Sequence, residues 1–166
     1  PPPLLQSSAA SDVYKRQKSI SRFYETPAYP KGSGPNFVNS VVKAEANYSA
    51  HAILQKLDKI EEKFERQRNS RWSARTLDLD LLALEEQVLP SKEVFQYWCD
   101  LPLSEQKKKT PSELLLPHPR IQDRAFVLLP LLDVEPNWLH PILNKTAVQL
   151  YQKLPEQTKK NIQTVQ

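Results

Sequence analysis

Glycine, cysteine and methionine are almost missing from this chain of 166 residues, which has two, one and none of them. Two glycines cannot build a glycine-rich phosphate-binding loop. A single cysteine, Cys99, excludes an internal disulfide framework and a cysteine-based zinc site. No apolar run approaches the roughly 18–20 residues that cross a bilayer. Charge of one sign is also modest: 23 Lys and Arg stand against 19 Asp and Glu, a net +4. That balance suits a small anionic ligand and does not call for nucleic acid. The length fits one domain of about 100–200 residues.

With no methionine, the chain is expected to start downstream of its own start codon. The opening PPPLLQSSAASDVYKRQ has neither the apolar segment of a signal peptide nor the Arg-rich pattern of a transit sequence. Its SSAASDVYKRQ reads as translated vector or adaptor. Residues 1–17 are therefore set aside as a non-native leader. The domain is expected over 18–145, with an insertion at 90–113 (KKK at 107–109, Pro102 and Pro111) and a partly helical tail over 146–166.

ISRFYET (20–26) is rich in β-branched and aromatic residues and reads as a strand ended by Pro27. FVNSVVKAE (37–45) reads as the next. Its alternation puts Phe37, Asn39 and Val41 on one face. Ser49 is a good N-cap, and Ile53, Leu57, Ile60 and Phe64 recur at helical spacing, so a helix is expected over about 50–65. TLDLDLLAL (76–84) reads as a strand with Leu77, Leu79 and Leu81 on one face and Asp78 and Asp80 on the other. Residues 117–136 begin as a turn or short helix and run on as an apolar segment. A last short helix is expected near Val148–Leu154, after which the tail frays. Strands alternating with a helix predict an α+β sandwich of one sheet with helices against it.

Two carboxylates at i, i+2 on a strand project the same way, about 6.6–6.8 Å apart. Their repulsion is resolved by a hard divalent cation such as Mg²⁺, which takes oxygen ligands. A bare Asp-x-Asp is more often a solvated edge. Here Arg66, Arg68, Arg71 and Arg75 lead directly into it. Arginine binds phosphate bidentately and stays charged. Carboxylates for metal beside guanidiniums for phosphate is what phosphoryl transfer requires. Trp72 lies inside the basic loop, as a lid over a ligand or as an anchor on the domain. His118, between Pro117 and Pro119, is held rigidly enough to serve as a fixed donor to phosphate, and Arg124 follows six residues on. His51 reads as exposed, His140 as structural, and Cys99 as incidental.

RWSARTLDLDLL (71–82) together with LPHPRIQDRAFVLLPLLDVEP (116–136) resembles the 6-hydroxymethyl-7,8-dihydropterin pyrophosphokinases of folate biosynthesis. The likeness extends through SRFYETPAY, NFVNSVV and KIEEKFERQR, over roughly 19–142. It implies a ferredoxin-like α+β fold and the transfer of pyrophosphate from ATP to the hydroxymethyl oxygen of the dihydropterin, with release of AMP. By position, Asp78 and Asp80 would hold two Mg²⁺ ions. Arg66, Arg68, Arg75, Arg124 and His118 would contact ATP phosphates, Arg66 and Arg75 also acting in catalysis. Phe37 and Phe126 would sandwich the pterin ring, Asn39 would read its amide edge, Thr26 and Pro27 would line the pocket, and Trp72 would close it. The implied partners are ATP and the pterin alone, with no nucleic acid or membrane, for a cytoplasmic monomer.

The chain departs from the family pattern in places. The family's opening strand, Gly-Ser-Asn turn and first helix are not seen, so the first strand and helix are expected to be missing. Glu65 stands for a Gly, Ser73-Ala74 for Gly-Pro, and Phe37 where a Tyr occurs. Two other readings compete: a non-catalytic ferredoxin-like module that grips RNA or protein, and a Mg²⁺-dependent nuclease, which lacks an evident general base.

Overall fold

The computed structural model describes residues 17–27, 35–66, 77–106, 108–109 and 111–165. Four short strands come first: β1 (Gln17–Ile20), β2 (Tyr24–Thr26), β3 (Phe37–Asn39) and β4 (Val42–Ala44). β1 pairs antiparallel with β4, and β2 with β3. Where one sheet was expected, the pairing divides into a two-stranded and a three-stranded sheet.

The division has a local cause. Ile20 stands opposite Val42, and Ser21 exchanges backbone contact with Val41, its N–H donating to the Val41 carbonyl at 2.9 Å. The Ser21 hydroxyl then accepts the Val41 N–H at 2.9 Å, taking the place of a ladder carbonyl. Beyond it Tyr24 faces Asn39, so Arg22 and Phe23 together oppose Ser40. One extra residue on one strand is a β-bulge, which bends the strand and re-aims side chains. The continuous strands expected over 20–26 and 37–45 are thereby each cut in two. Asn39 and Val41 still turn inward, as the alternation requires, whereas Phe37 is 57% exposed.

α1 (Ala50–Arg66) forms as expected. The Ser49 carbonyl accepts the Ile53 N–H at 3.0 Å and its hydroxyl accepts the Ala52 N–H at 3.3 Å. Residues 90–113 carry α2 (Lys92–Asp100), capped by the Ser91 hydroxyl, and α3 (Leu103–Gln106). Phe95 of α2 is fully buried, which fastens this stretch to the fold.

A 3₁₀ turn (Ile121–Asp123) leads into α4 (Ala125–Val134). Its residues are apolar almost all round, and such a helix is stable only when buried on most sides. Ala125, Val127, Leu128, Pro130 and Leu131 are buried. α4 touches β1, β2 and β3 as well as α5 (Ala147–Lys153) and α6 (Glu156–Lys159). Ile121, Ala125, Leu128 and Leu131 pack with Ala147, Leu150 and Leu154 to form the core. At the end of α4, Asp133 receives Arg22 in a two-pronged pair (Nε to Oδ2 3.0 Å, Nη2 to Oδ1 2.6 Å) and the Tyr24 hydroxyl at 2.9 Å. The bulge that ejects Arg22 from the ladder is what lets it reach this carboxylate.

The tail does not fray. β5 (Gln163–Thr164) pairs antiparallel with β2, Thr164 opposite Tyr24, and the Val165 N–H donates to the Phe23 carbonyl at 2.9 Å. β2 has β3 on one edge only, and the second edge offers unpaired backbone groups that the tail satisfies. The architecture is a small α+β fold with antiparallel pairing and helices against it. No helix among the described residues is long and apolar enough to cross a membrane.

Candidate active site

The acidic segment takes no regular secondary structure and joins no sheet among the described residues, which corrects the strand expected over 76–84. Its backbone groups are taken elsewhere. The Leu79 N–H donates to the Glu61 carboxylate of α1, and the Leu82 carbonyl accepts the His118 N–H at 2.7 Å. The alternation expected of it survives: Leu77, Leu79 and Leu81 are partly buried while Asp78 and Asp80 are exposed. Both carboxylates therefore lie on the solvent side of one stretch.

Arg124 stands across from them, its Nη1 3.9 Å from Asp80 Oδ2. It is half-buried at the start of α4, and burial pulls its guanidinium below the usual arginine range, against the opposing pull of Asp80. The same guanidinium lies 5.8 Å from the centroid of the Phe126 ring. His118 is half-buried beside this pair. Its Nδ1 accepts the Arg120 N–H at 3.1 Å, so the neutral ring carries its proton on Nε2 and presents a donor. Burial, reinforced by Arg124, lowers the His118 pKa and keeps the ring neutral. Cys99 takes no part. Its thiol donates to the Pro119 carbonyl at 3.5 Å, and burial pushes its pKa up to about 11.

The aromatic half of the candidate site sits on β2, β3 and α4. Thr26 is opposite Phe37 in the ladder, and the Asn39 amide donates to the Thr26 hydroxyl at 3.0 Å. Pro27 follows directly, half-buried. β3 lies against α4, whose Phe126 is 38% exposed. Phe37 and Phe126 are thus exposed rings on two touching elements. Arg68, Trp72 and Arg75 lie outside the described residues, and Arg66, which closes α1, is described through its backbone alone.

Glu61 was not picked out by the sequence reading. Its bond to Leu79 fixes the backbone midway between Asp78 and Asp80. The available signal was its place one turn before Arg66 on the helix that feeds the basic loop.

Carboxylates, a guanidinium and a neutral imidazole donor gathered on one surface are the equipment of phosphoryl-group chemistry. Among the described residues no cluster of three or more His, Cys, Asp or Glu could by itself enclose a metal ion. Two exposed carboxylates with oxygen-only donors nevertheless fit Mg²⁺, which is usually held by one or two carboxylates with substrate phosphates and water filling its shell.

Comparison with known proteins narrows this class. The sequence model of the 7,8-dihydro-6-hydroxymethylpterin-pyrophosphokinase family matches residues 4–136. The chain is similar to the 2-amino-4-hydroxy-6-hydroxymethyldihydropteridine pyrophosphokinase of Aquifex aeolicus, 31% identical over 142 residues, covering 86% of this chain and 76% of that protein. The proteins of the same name from Pseudomonas aeruginosa (36% identical; 81% of this chain, 74% of that one) and Synechocystis (34%; 72% and 51%) are also similar. The chain belongs to the 7,8-dihydro-6-hydroxymethylpterin-pyrophosphokinase family. It spans about three quarters of the first two relatives and about half of the third.

Proposed function

We propose that this protein transfers pyrophosphate from ATP to the hydroxyl of 6-hydroxymethyl-7,8-dihydropterin, giving AMP and the pterin pyrophosphate in folate biosynthesis. The observation that carries the proposal is Asp80 facing Arg124 beside the His118 donor, with the Phe126 ring on the same helix end. The finer fold, a ferredoxin-like sandwich, belongs to the same reading.

In this reading Asp78 and Asp80 would hold two Mg²⁺ ions, which would supply positive charge to the triphosphate and the attacking hydroxyl. Arg124 and the Nε2–H of His118 bind phosphate oxygens, together with Arg66, Arg68 and Arg75. Charge-assisted donors of this kind stabilise the charge that develops on the transferred group. Phe37 and Phe126 take the two faces of the flat pterin ring. Thr26 engages one Asn39 N–H, and the remaining N–H and the carbonyl oxygen of that amide would read the pterin edge, with Pro27 beside them. Trp72 would cover the site and exclude water, which would otherwise compete as acceptor. ATP and the pterin are the partners, and the protein acts as a cytoplasmic monomer.

The test is AMP formation from ATP and the pterin alcohol, with and without Mg²⁺. AMP is expected only when all three are present. A folded sample that binds Mg-ATP but makes no AMP would sink the assignment. Glu61, acting through the Leu79 backbone, is a positioning residue. Supporting groups of this kind typically cost about 10–100-fold when removed. Glu61→Ala is therefore expected to lower the rate of AMP formation by about that factor. Glu61→Gln, which keeps an acceptor oxygen for Leu79, is expected to restore most of it. Equal losses in both variants would mean that the charge of Glu61 matters rather than its hold on the backbone.

A further inference from the structure

Past the residues matched by the family, the turn at 140–146 and α5 enclose an open cleft of about 400 Å³, lined by Asn144, Lys145, Gln149, Gln152 and Lys153. We propose that this cleft binds a small phosphate-type oxyanion between the ammonium groups of Lys145 and Lys153 and the carboxamide of Gln149.

No acidic side chain lines the cleft, and among the described residues neither lysine makes an ion pair. The two cations line the same cleft. The neighbouring charge of Lys145 holds the Lys153 ammonium below the usual lysine range. Both sit on stiff supports. Lys145 follows Asn144, which adopts a left-handed conformation (φ 49°). The Asn144 N–H donates to the His140 carbonyl at 2.9 Å, and the His140 N–H donates back to the Lys145 carbonyl at 2.9 Å. Lys153 is on the last turn of α5.

Gln149 adds a donor whose orientation is set by the helix cap. Thr146 and Gln149 form a reciprocal capping box, with the Thr146 N–H on Gln149 Oε1 at 3.0 Å. With its oxygen engaged, Gln149 has its NH₂ group left to offer. Lys159 is nearby but already occupied by Glu156 at 2.7 Å and by the Gln152 carbonyl at 3.4 Å. Two cations and an amide donor, with no competing carboxylate, are the donors a compact oxyanion takes. An anion between the lysines also offsets their like charge.

The full chain is titrated with inorganic pyrophosphate in the absence of Mg²⁺, following the side-chain amide signals of Gln149 and the backbone amides of Lys145 and Thr146. Saturable shifts at these signals are expected. In the K145Q/K153Q double variant binding at these signals is expected to weaken at least tenfold, with AMP formation retained as a check on folding. An absence of saturable shifts, or equal shifts in the double variant, would overturn the proposal. The second result would mean that the two lysines do not hold the anion.

Discussion

Asp80→Asn is expected to lower the rate of AMP formation by about 100- to 1,000-fold, the usual cost of losing one preorganised electrostatic group around a reacting phosphate or oxyanion. The carboxamide keeps the shape of the side chain and removes its charge. In the proposed reading magnesium would lose an anionic oxygen, and Arg124 loses the neighbour that faces it at 3.9 Å. The same substitution is expected to leave stability nearly untouched. Asp80 has 52% of its side chain exposed, and exposed ion pairs contribute only ~0.2–1 kcal/mol. The informative measurement is therefore the pair, turnover and urea midpoint on one sample. A large fall in both would make Asp80 a structural residue and remove the main support for the metal site.

The second large effect is on resistance to acid. His140 is fully buried, between the rings of Phe95 (centroids 5.5 Å apart) and Trp138 (5.4 Å). Its Nδ1 accepts the N–H groups of Ile142 and Leu143, each at 3.2 Å, so that nitrogen has no room for a proton. Its Nε2 is buried with no partner among the described residues. Burial lowers its pKa to about 4. In the unfolded chain an imidazole titrates near 6.5, as histidine ordinarily does. Between those two values the unfolded chain binds a proton that the native one refuses. The stabilisation is complete above pH 6.5 and is lost as pH falls toward 4, by about 3 kcal/mol over the window.

The lowered pKa of His118 acts in the same direction. Asp133 acts further down, because Arg22 holds its carboxyl below the usual range and that contribution disappears only below about pH 4. Urea unfolding at pH 7.5, 5.5 and 4 checks the slope, and the ring signals of His140 check its cause. A His140 ring that titrates near 6.5 in the folded protein would contradict the account.

α1 was legible because all its signals are local: the Ser49 cap and the Ile53, Leu57, Ile60 and Phe64 stripe lie within five turns of one another. The acidic segment was legible as an alternation, since Asp78 and Asp80 do face solvent while the leucines turn in. Its lack of strand partners among the described residues was not legible, because Glu61 and His118 claim backbone groups of it from elsewhere in the chain. The bulge at Arg22–Phe23 left no mark beyond Ser21, whose hydroxyl competes with the ladder as short polar side chains do. The run Ala125–Val134 carries no helical periodicity and contains Pro130, so only burial on most sides reveals it as a helix. Pairing of Thr164 with Tyr24 spans nearly the whole chain, and a two-residue strand has no pattern to read. On the site itself, the structure brings Asp80, His118, Arg124 and Phe126 of the motifs Asp-Leu-Asp, Pro-His-Pro and Arg-Ala-Phe together, whereas Glu61 could be found only through the contact it makes.

α4 begins with the Arg124 guanidinium and the Phe126 ring and ends at Asp133, where the bulged strand is moored. A rod embedded on most of its sides cannot swing without tearing out the hydrophobic interior. The groups at its head therefore behave as an anvil, and any motion that grips or releases a ligand has to come from the pieces that strike it.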